Sequence, residues 1–246
     1  MRESFMGMDS ISISDAKHPS EVGEPNHPSV SSEHAVQTAT LQKPYRRKRV
    51  LEWLQDQVPE KRLQHILRVE AMATQLAQHH GLDTEKAAQS GLMHDLAKNF
   101  KAKQLLKMAE MEGLAIDDVF MANPHLLHAD VGAIVARDEF GIYDPEVLAA
   151  IRNHTLGSPE MSPLSCVVYL ADGLEPGRGS TSELEHLRQT SLENLHQAVW
   201  LTSDYTLKHL LTNSNLVHPR AVLTRNWAMQ EALHQQKTKK KSSKTI

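Results

Sequence analysis

Four polar side chains stand where an apolar one is expected. On the helical stretch 60–80, His65 shares a face with Val69, Met72 and Leu76 at spacings of four, three and four. Asp95 lines up with Ala88 and Gly91, His154 with Val147 and Ile151, and Asp172 with Leu164 and Val168. An unpaired carboxylate or imidazole costs too much to bury, so such groups must be paired, neutralised or bound to a metal. One inward histidine is ordinarily a satisfied core residue, and one inward aspartate ordinarily caps a neighbouring helix. Several on successive helices change the reading, because helical bundles build metal sites from inward side chains on facing helices. The dipeptide His94-Asp95 closes an Ala/Gly-rich helix whose Ala87, Ala88 and Gly91 leave room for a close neighbour. Adjacent helical side chains point about 100° apart, so two ligands in succession fit a helix end. With His65 upstream and Asp172 downstream the order is H…HD…D, and His128 and His154 fall between the pair and the last Asp.

The elements that must position these residues are helical throughout. After the helix over 60–80, Gly81 offers a stop. A second helix is expected over 84–97 and a third over 101–112, ending at Gly113. Asn123-Pro124 marks a break, and His128, Val131 and Val135 then share a face up to Gly141. Pro145 opens the segment of His154. Ser162-Pro163 is a helix start, an N-cap residue followed by proline at the first helical position. Ser182 and Glu185 have capping-box spacing and are expected to begin a long helix through about Val199. A last helix from Pro219 is expected to use Val222, Leu223, Trp227 and Leu233 inward. No stretch alternates with period two, so the fold class is all-α, a bundle of eight to ten short helices.

The chain has 246 residues, 40% hydrophobic and 4% aromatic, which implies an aliphatic, Ala-rich core. Its single cysteine, Cys166, excludes an intramolecular disulfide and any cysteine-built metal site. Lys plus Arg total 27 against 30 Asp plus Glu, a balance that makes no case for nucleic acid as partner. No apolar run approaches the roughly 20 residues of a membrane helix, and the N-terminus has no apolar stretch of a signal peptide, so a cytoplasmic protein with no membrane partner is expected. Residues 1–44 hold Pro19, Pro25, Pro28 and Pro44 among many Ser, Glu and Thr, and read as a disordered extension in which His18, His27 and His34 are solvated. Residues 235–246 read as a basic tail, and 45–234 as the one folded domain.

Five ordered segments carry a resemblance: RLQHILRVEAMATQLA (62–77), GLMHDLAK (91–98), HADVGA (128–133), AIRNHTLGSPEMSPL (150–164) and YLADGLEPGR (169–178). They are similar to the HD-domain metal-dependent phosphohydrolases and, within these, to the YqeK family of symmetrical bis(5'-nucleosyl)-tetraphosphatases. Gly173 departs from the pattern, which has a larger residue there. The resemblance implies an HD-domain helical bundle with a dinuclear metal centre whose ligands are His65, His94, Asp95, His128, His154 and Asp172. Such a mixed N/O donor set suits first-row metals. Two divalent ions sharing Asp95 are implied, iron first, with manganese or cobalt as substitutes.

The reaction implied is hydrolysis of diadenosine tetraphosphate, or another dinucleoside polyphosphate, to two nucleoside diphosphates through a metal-bridging hydroxide. Asp95 is then catalytic as the shared ligand, and Lys98 as a charge that offsets the polyphosphate. Arg178, just past the Asp172 helix, has the fork that could hold a phosphate. Arg152 is a third phosphate candidate, with a surface ion pair as its alternative. Thr155 and Gly157 would shape the loop at the site, and His125 could line the pocket mouth. The remaining histidines are assigned to surface or packing. A homodimer is compatible with so compact a domain. Two alternatives stand beside this reading: an HD phosphohydrolase for another nucleotide, cyclic dinucleotide or alarmone, and a non-catalytic helical module that binds RNA or a partner. The intact six-ligand set argues against the second.

Overall fold

The structure is a computed structural model and describes residues 46–242, all within one unit. The disorder expected over 1–44 and the end of the basic tail lie outside the described residues. Among the described residues eleven α-helices follow one another: α1 (Arg47–Gln57), α2 (Glu60–His79), α3 (Thr84–Met93), α4 (Ala102–Met111), α5 (Asp118–Ala122), α6 (His128–Phe140), α7 (Pro145–Asn153), α8 (Pro163–Leu174), α9 (Ser182–Glu193), α10 (Leu195–Thr212) and α11 (Pro219–Ser242). Short 3-10 turns at Pro124–Leu127 and Pro176–Arg178 complete the order, and no strand occurs among the described residues. No described helix is long and apolar enough to cross a membrane.

Two apolar clusters share the load. Leu54, Ile66, Leu92, Leu105, Val131 and Ile151 belong to the first, gathered from α1 to α7. Val69, Leu76, Val168, Leu170, Leu184 and Val199 belong to the second, from α2 and α8 to α10. Helices α2, α3 and α7 feed both clusters, so residues on these three helices lie between them. The approach of α2 to α3 depends on Gly91: a Cβ there would sit 2.9 Å from the Cα of Glu70, closer than any side chain tolerates. At Gly173 a Cβ would come 3.2 Å from Thr202 Cγ2 on α10, a tight contact that Thr202 would have to yield slightly to accept.

The ends of the helices follow the sequence signals in most places. Ser162 Oγ accepts from the Ser165 amide ahead of Pro163, and Gly141 closes α6 in the left-handed region at φ 70°. Three expectations need correction. The cap of α9 is Thr181, whose Oγ1 accepts from the Leu184 amide, one residue before the expected Ser182. That helix does not run through to Val199, because Asn194 ends it and its side chain caps α10 by accepting from the Gln197 amide. On α11, Leu223 is 56% exposed, and Val222 and Leu233 are exposed as well. The buried positions are Thr224, Ala228 and Ala232, small residues that let α11 lie close to its neighbours. The same helix continues to Ser242.

Candidate metal centre

Three of the four site histidines sit at helix ends, where carbonyls lack intrahelical partners. His94 caps the C-terminus of α3, His128 opens α6, and His154 caps α7. In each, Nδ1 meets the carbonyl three residues back: Gly91 at 2.7 Å, His125 at 2.5 Å and Ile151 at 2.8 Å. A carbonyl only accepts, so Nδ1 carries the proton and Nε2 presents its lone pair inward. His65 lies inside α2, where the neighbouring carbonyls serve the helix itself. Its Nδ1 instead donates to Glu175 Oε1 at 3.0 Å. Glu175 is 1% exposed and is held by the Arg68 guanidinium and the Gly177 amide, each at 2.5 Å from Oε2.

The six residues converge. Asp95 Oδ2 lies 3.4 Å from His94 Nε2 and 4.0 Å from His65 Nε2, whereas Oδ1 lies 3.3 Å from His128 Nε2 and 3.7 Å from His154 Nε2. Asp172 Oδ1 is 3.1 Å from His65 Nε2 and 3.9 Å from His94 Nε2. Three overlapping trios have all their donor atoms within 4.8 Å of one another: His65, His94 and Asp95; His94, His154 and Asp172; Asp95, His128 and His154. His65 Nε2, His94 Nε2 and Asp95 Oδ1 are buried without a hydrogen-bond partner. Leaving such atoms unpaired costs about 1–3 kcal/mol each, a cost that a cation among them removes. The donor set therefore fits a divalent metal ion.

Charges inside the cluster are already sorted. Burial lowers the His154 pKa to about 4, helped by the neighbouring His94 and His128 and opposed by Asp95. Burial also disfavours the charge on His94, but the carboxylates of Asp95 and Asp172 outweigh it and raise that pKa. Burial opposes ionisation of Asp172 and Asp95 too; the imidazoles around them, with Arg178 beside Asp172, hold both carboxyls below the ordinary range. Glu175 is held at about 2, burial being outweighed by Arg68, His65 and the Gly177 amide.

The other expected site residues divide. Lys98 Nζ stands 3.0 Å from His128 Nε2 and 3.8 Å from Asp95 Oδ1. Thr155 Oγ1 lies 2.9 Å from His154 Nε2 and 3.1 Å from His128 Nε2. Arg178 reaches the cluster through Asp172, donating to its Oδ1 at 2.5 Å and its carbonyl at 2.8 Å. Arg152 is not brought in; its Nε faces Asp130 Oδ1 at 3.9 Å, the ion-pair alternative. Gly157 has φ 66° and leaves room for Thr224, which would otherwise be 2.3 Å from its Cβ, so its place is under α11. The His125 ring is exposed and only its carbonyl serves the site. Sequence reasoning missed Arg62, which donates to Asp95 Oδ2 at 3.0 Å, and the Glu175–Arg68 pair. Arg62 and Glu175 each fall three residues from a ligand, His65 and Asp172, which is the one signal that could have found them.

Helices that bring one histidine, an adjacent His-Asp pair and a distant aspartate to a single point are those of an HD-domain protein, and residues 62–177 match the HD domain family. The symmetrical bis(5'-nucleosyl)-tetraphosphatase of Halalkalibacterium halodurans is 34% identical over 185 residues, covering 75% of this chain and 98% of its own. The protein of the same description from Bacillus subtilis is 34% identical over 184 residues, covering 74% and 96%. A crystal structure from Clostridium acetobutylicum, described as a predicted HD superfamily hydrolase involved in NAD metabolism, aligns with a TM-score of 0.73 at 34% identity, covering 76% of this chain and 98% of that one. The chain belongs to the HD-domain family of symmetrical bis(5'-nucleosyl)-tetraphosphatases.

Proposed function

We propose that this protein is a metal-dependent hydrolase that cleaves dinucleoside tetraphosphates, diadenosine tetraphosphate foremost, into two nucleoside diphosphates. The relatives named above support the substrate. The observation that carries the reading is the division of Asp95, one oxygen facing His65 and His94 and the other facing His128 and His154. That division suits two divalent ions, iron by family likeness, with manganese or cobalt as substitutes. Bound ions would supply Lewis acidity toward phosphoryl oxygens and lower the pKa of water.

The chain's own residues supply the rest. Asp95 is the shared ligand, with His65, His94 and Asp172 on one side and His128 and His154 on the other. Arg62 aims Asp95 through a hydrogen bond to Oδ2, and Arg178 aims Asp172 and helps the imidazoles keep it ionised. Lys98 places a positive charge beside the second group of imidazoles, where it offsets charge on the inner phosphates and on the departing diphosphate. Thr155 offers a hydroxyl at the same point. Water adds its oxygen to one inner phosphorus, the bond from that phosphorus to the central bridging oxygen breaks, and one water proton is released. Each half leaves as a nucleoside diphosphate.

A nucleotide panel offered to anaerobically prepared protein of known metal content tests this. Release of ADP alone from diadenosine tetraphosphate is expected, and AMP with ATP would overturn the symmetrical assignment. A cytoplasmic location and a homodimer complete the reading. The exposed Leu211, Leu216 and Leu223 support the dimer, and light scattering checks it.

A further inference from the structure

Three hollows are linked to the cluster and to one another by the residues they share. A cleft of about 350 Å³ has His154, Thr155, Asp172 and Lys98 at its floor and Tyr205 in its wall. On the other side, His65 opens into a cleft of about 420 Å³ lined by Lys61, Arg62, Arg68 and Arg178. Arg178 lines both, so the cluster stands between them. Arg68 also lines a third hollow of about 290 Å³, whose walls include Met72, Leu76, Pro176 and Leu192. The sequence of environments is therefore apolar pocket, cationic cleft, metal cluster, second cleft.

We propose that these hollows separate the substrate into halves, with the nucleoside of one half seated in the apolar pocket between α2 and α9. This rests on the function proposed above. The chemistry of each compartment fits what would lie in it. Glu175 is the one acid lining the cationic cleft, and both its oxygens are already taken by His65, Arg68 and Gly177. Arg62, Arg68 and Arg178 are held by Asp95, Glu175 and Asp172, so Lys61 and the guanidinium N–H groups left over are what a run of phosphates would meet. Beyond them, a base meets the Pro176 ring and the guanidinium planes of Arg68 and Arg188, surfaces on which aromatic rings stack. Arg188 is fixed for this by the carbonyls of Leu174 at 2.8 Å and Gly179 at 2.7 Å. Gln75, at the rim, carries both a donor and an acceptor for a base edge. The other half occupies the cleft of Tyr205. Distance then acts as a ruler, because a substrate with fewer phosphates cannot seat both nucleosides and still centre a linkage on the cluster.

Symmetrical cleavage makes two copies of one product, so each chain should hold two nucleoside diphosphates. Calorimetric titration of manganese-loaded protein with ADP is expected to give two ADP per chain. Leu192→Trp, which fills the apolar pocket from its exposed edge, should reduce this to one. It should also raise KM for diadenosine tetraphosphate by about tenfold, with a smaller change in kcat. Circular dichroism of the variant confirms that it is folded. A single ADP per chain in the unaltered protein, or two ADP and an unchanged KM in Leu192→Trp, would overturn the proposal. Two ADP per chain with no turnover of diadenosine tetraphosphate would instead overturn the proposed function and leave the two-compartment architecture standing.

Discussion

The two sides of Asp95 are built differently. On one side, His65 and Asp172 are anchored by charged partners: Glu175 and Arg68 behind the imidazole, Arg178 behind the carboxylate. On the other, His128 and His154 are anchored by main-chain carbonyls alone, and the side chains beside their inward nitrogens are Lys98 and Thr155. An ion pair braced by a second ion pair resists movement. A lysine and a threonine in the turns that follow α3 and α7 are placed to exchange partners. The first side is suited to retaining an ion, and the second to adjusting its contacts as substrate arrives.

Removing Asp95 should break both sides at once. For Asp95→Ala the expected fall in kcat is on the order of 10³-fold or more, since losing a single preorganised electrostatic contact already costs about 10²–10³. Metal content should fall with it, and a variant that kept its turnover would end the comparison. Glu175→Gln should act on one side only. Loss of a partner behind a ligating histidine typically weakens metal binding by about 10–100-fold, so a manganese titration should show one weakened class of site and one intact. Equal weakening of both would mean that the two sides are not distinct. Lys98→Met is the converse case, with metal content preserved and kcat/KM for diadenosine tetraphosphate lowered about tenfold. A drop in bound metal would place Lys98 among the supports of the ions instead.

The smallest effect belongs to protons. In metal-free protein His154 is held neutral down to about pH 4, whereas an unfolded histidine takes up its proton near 6.5. Between these values the unfolded chain binds more protons, so stability is full above 6.5 and declines as pH falls toward 4. The raised pKa of His94 contributes fully below 6.5, and the lowered aspartates lose their contribution only below about 3.8, so neither reverses the trend in this window. Burial also lowers His196 and His218, which act in the same direction. Urea unfolding of the metal-free chain at several pH values should therefore show a positive slope, to which each such histidine adds no more than about 1.4 kcal/mol per pH unit. A flat profile would contradict the burial of His154.

Much of this was legible in the sequence because polar residues on apolar helical faces are expensive and therefore conspicuous. All six cluster residues were found in that way or by likeness of the surrounding segments. Gly91 was legible as a close-approach residue for the same reason, a small side chain on a packed face. What escaped was local or non-periodic. Glu175 lies in a turn where periodicity says nothing, and its importance follows only from the mid-helix position of His65. Helix α1 directly follows a segment rich in proline and went unread. The break at Asn194 was hidden because a strong capping residue inside a helical pattern looks like any other polar position. The inward face of α11 escapes a reading that equates bulk with core position, because Ala228 and Ala232 do the packing.

The three carbonyl-anchored imidazoles have one more consequence. Their orientation is settled by the main chain before any ion arrives, so capture requires little rearrangement, and release leaves the receptor intact. The protein should thus behave unlike a zinc finger, which unravels when stripped. Chelation should silence it while the far-ultraviolet circular dichroism of the helices persists, and adding the ion back should revive it without a refolding step.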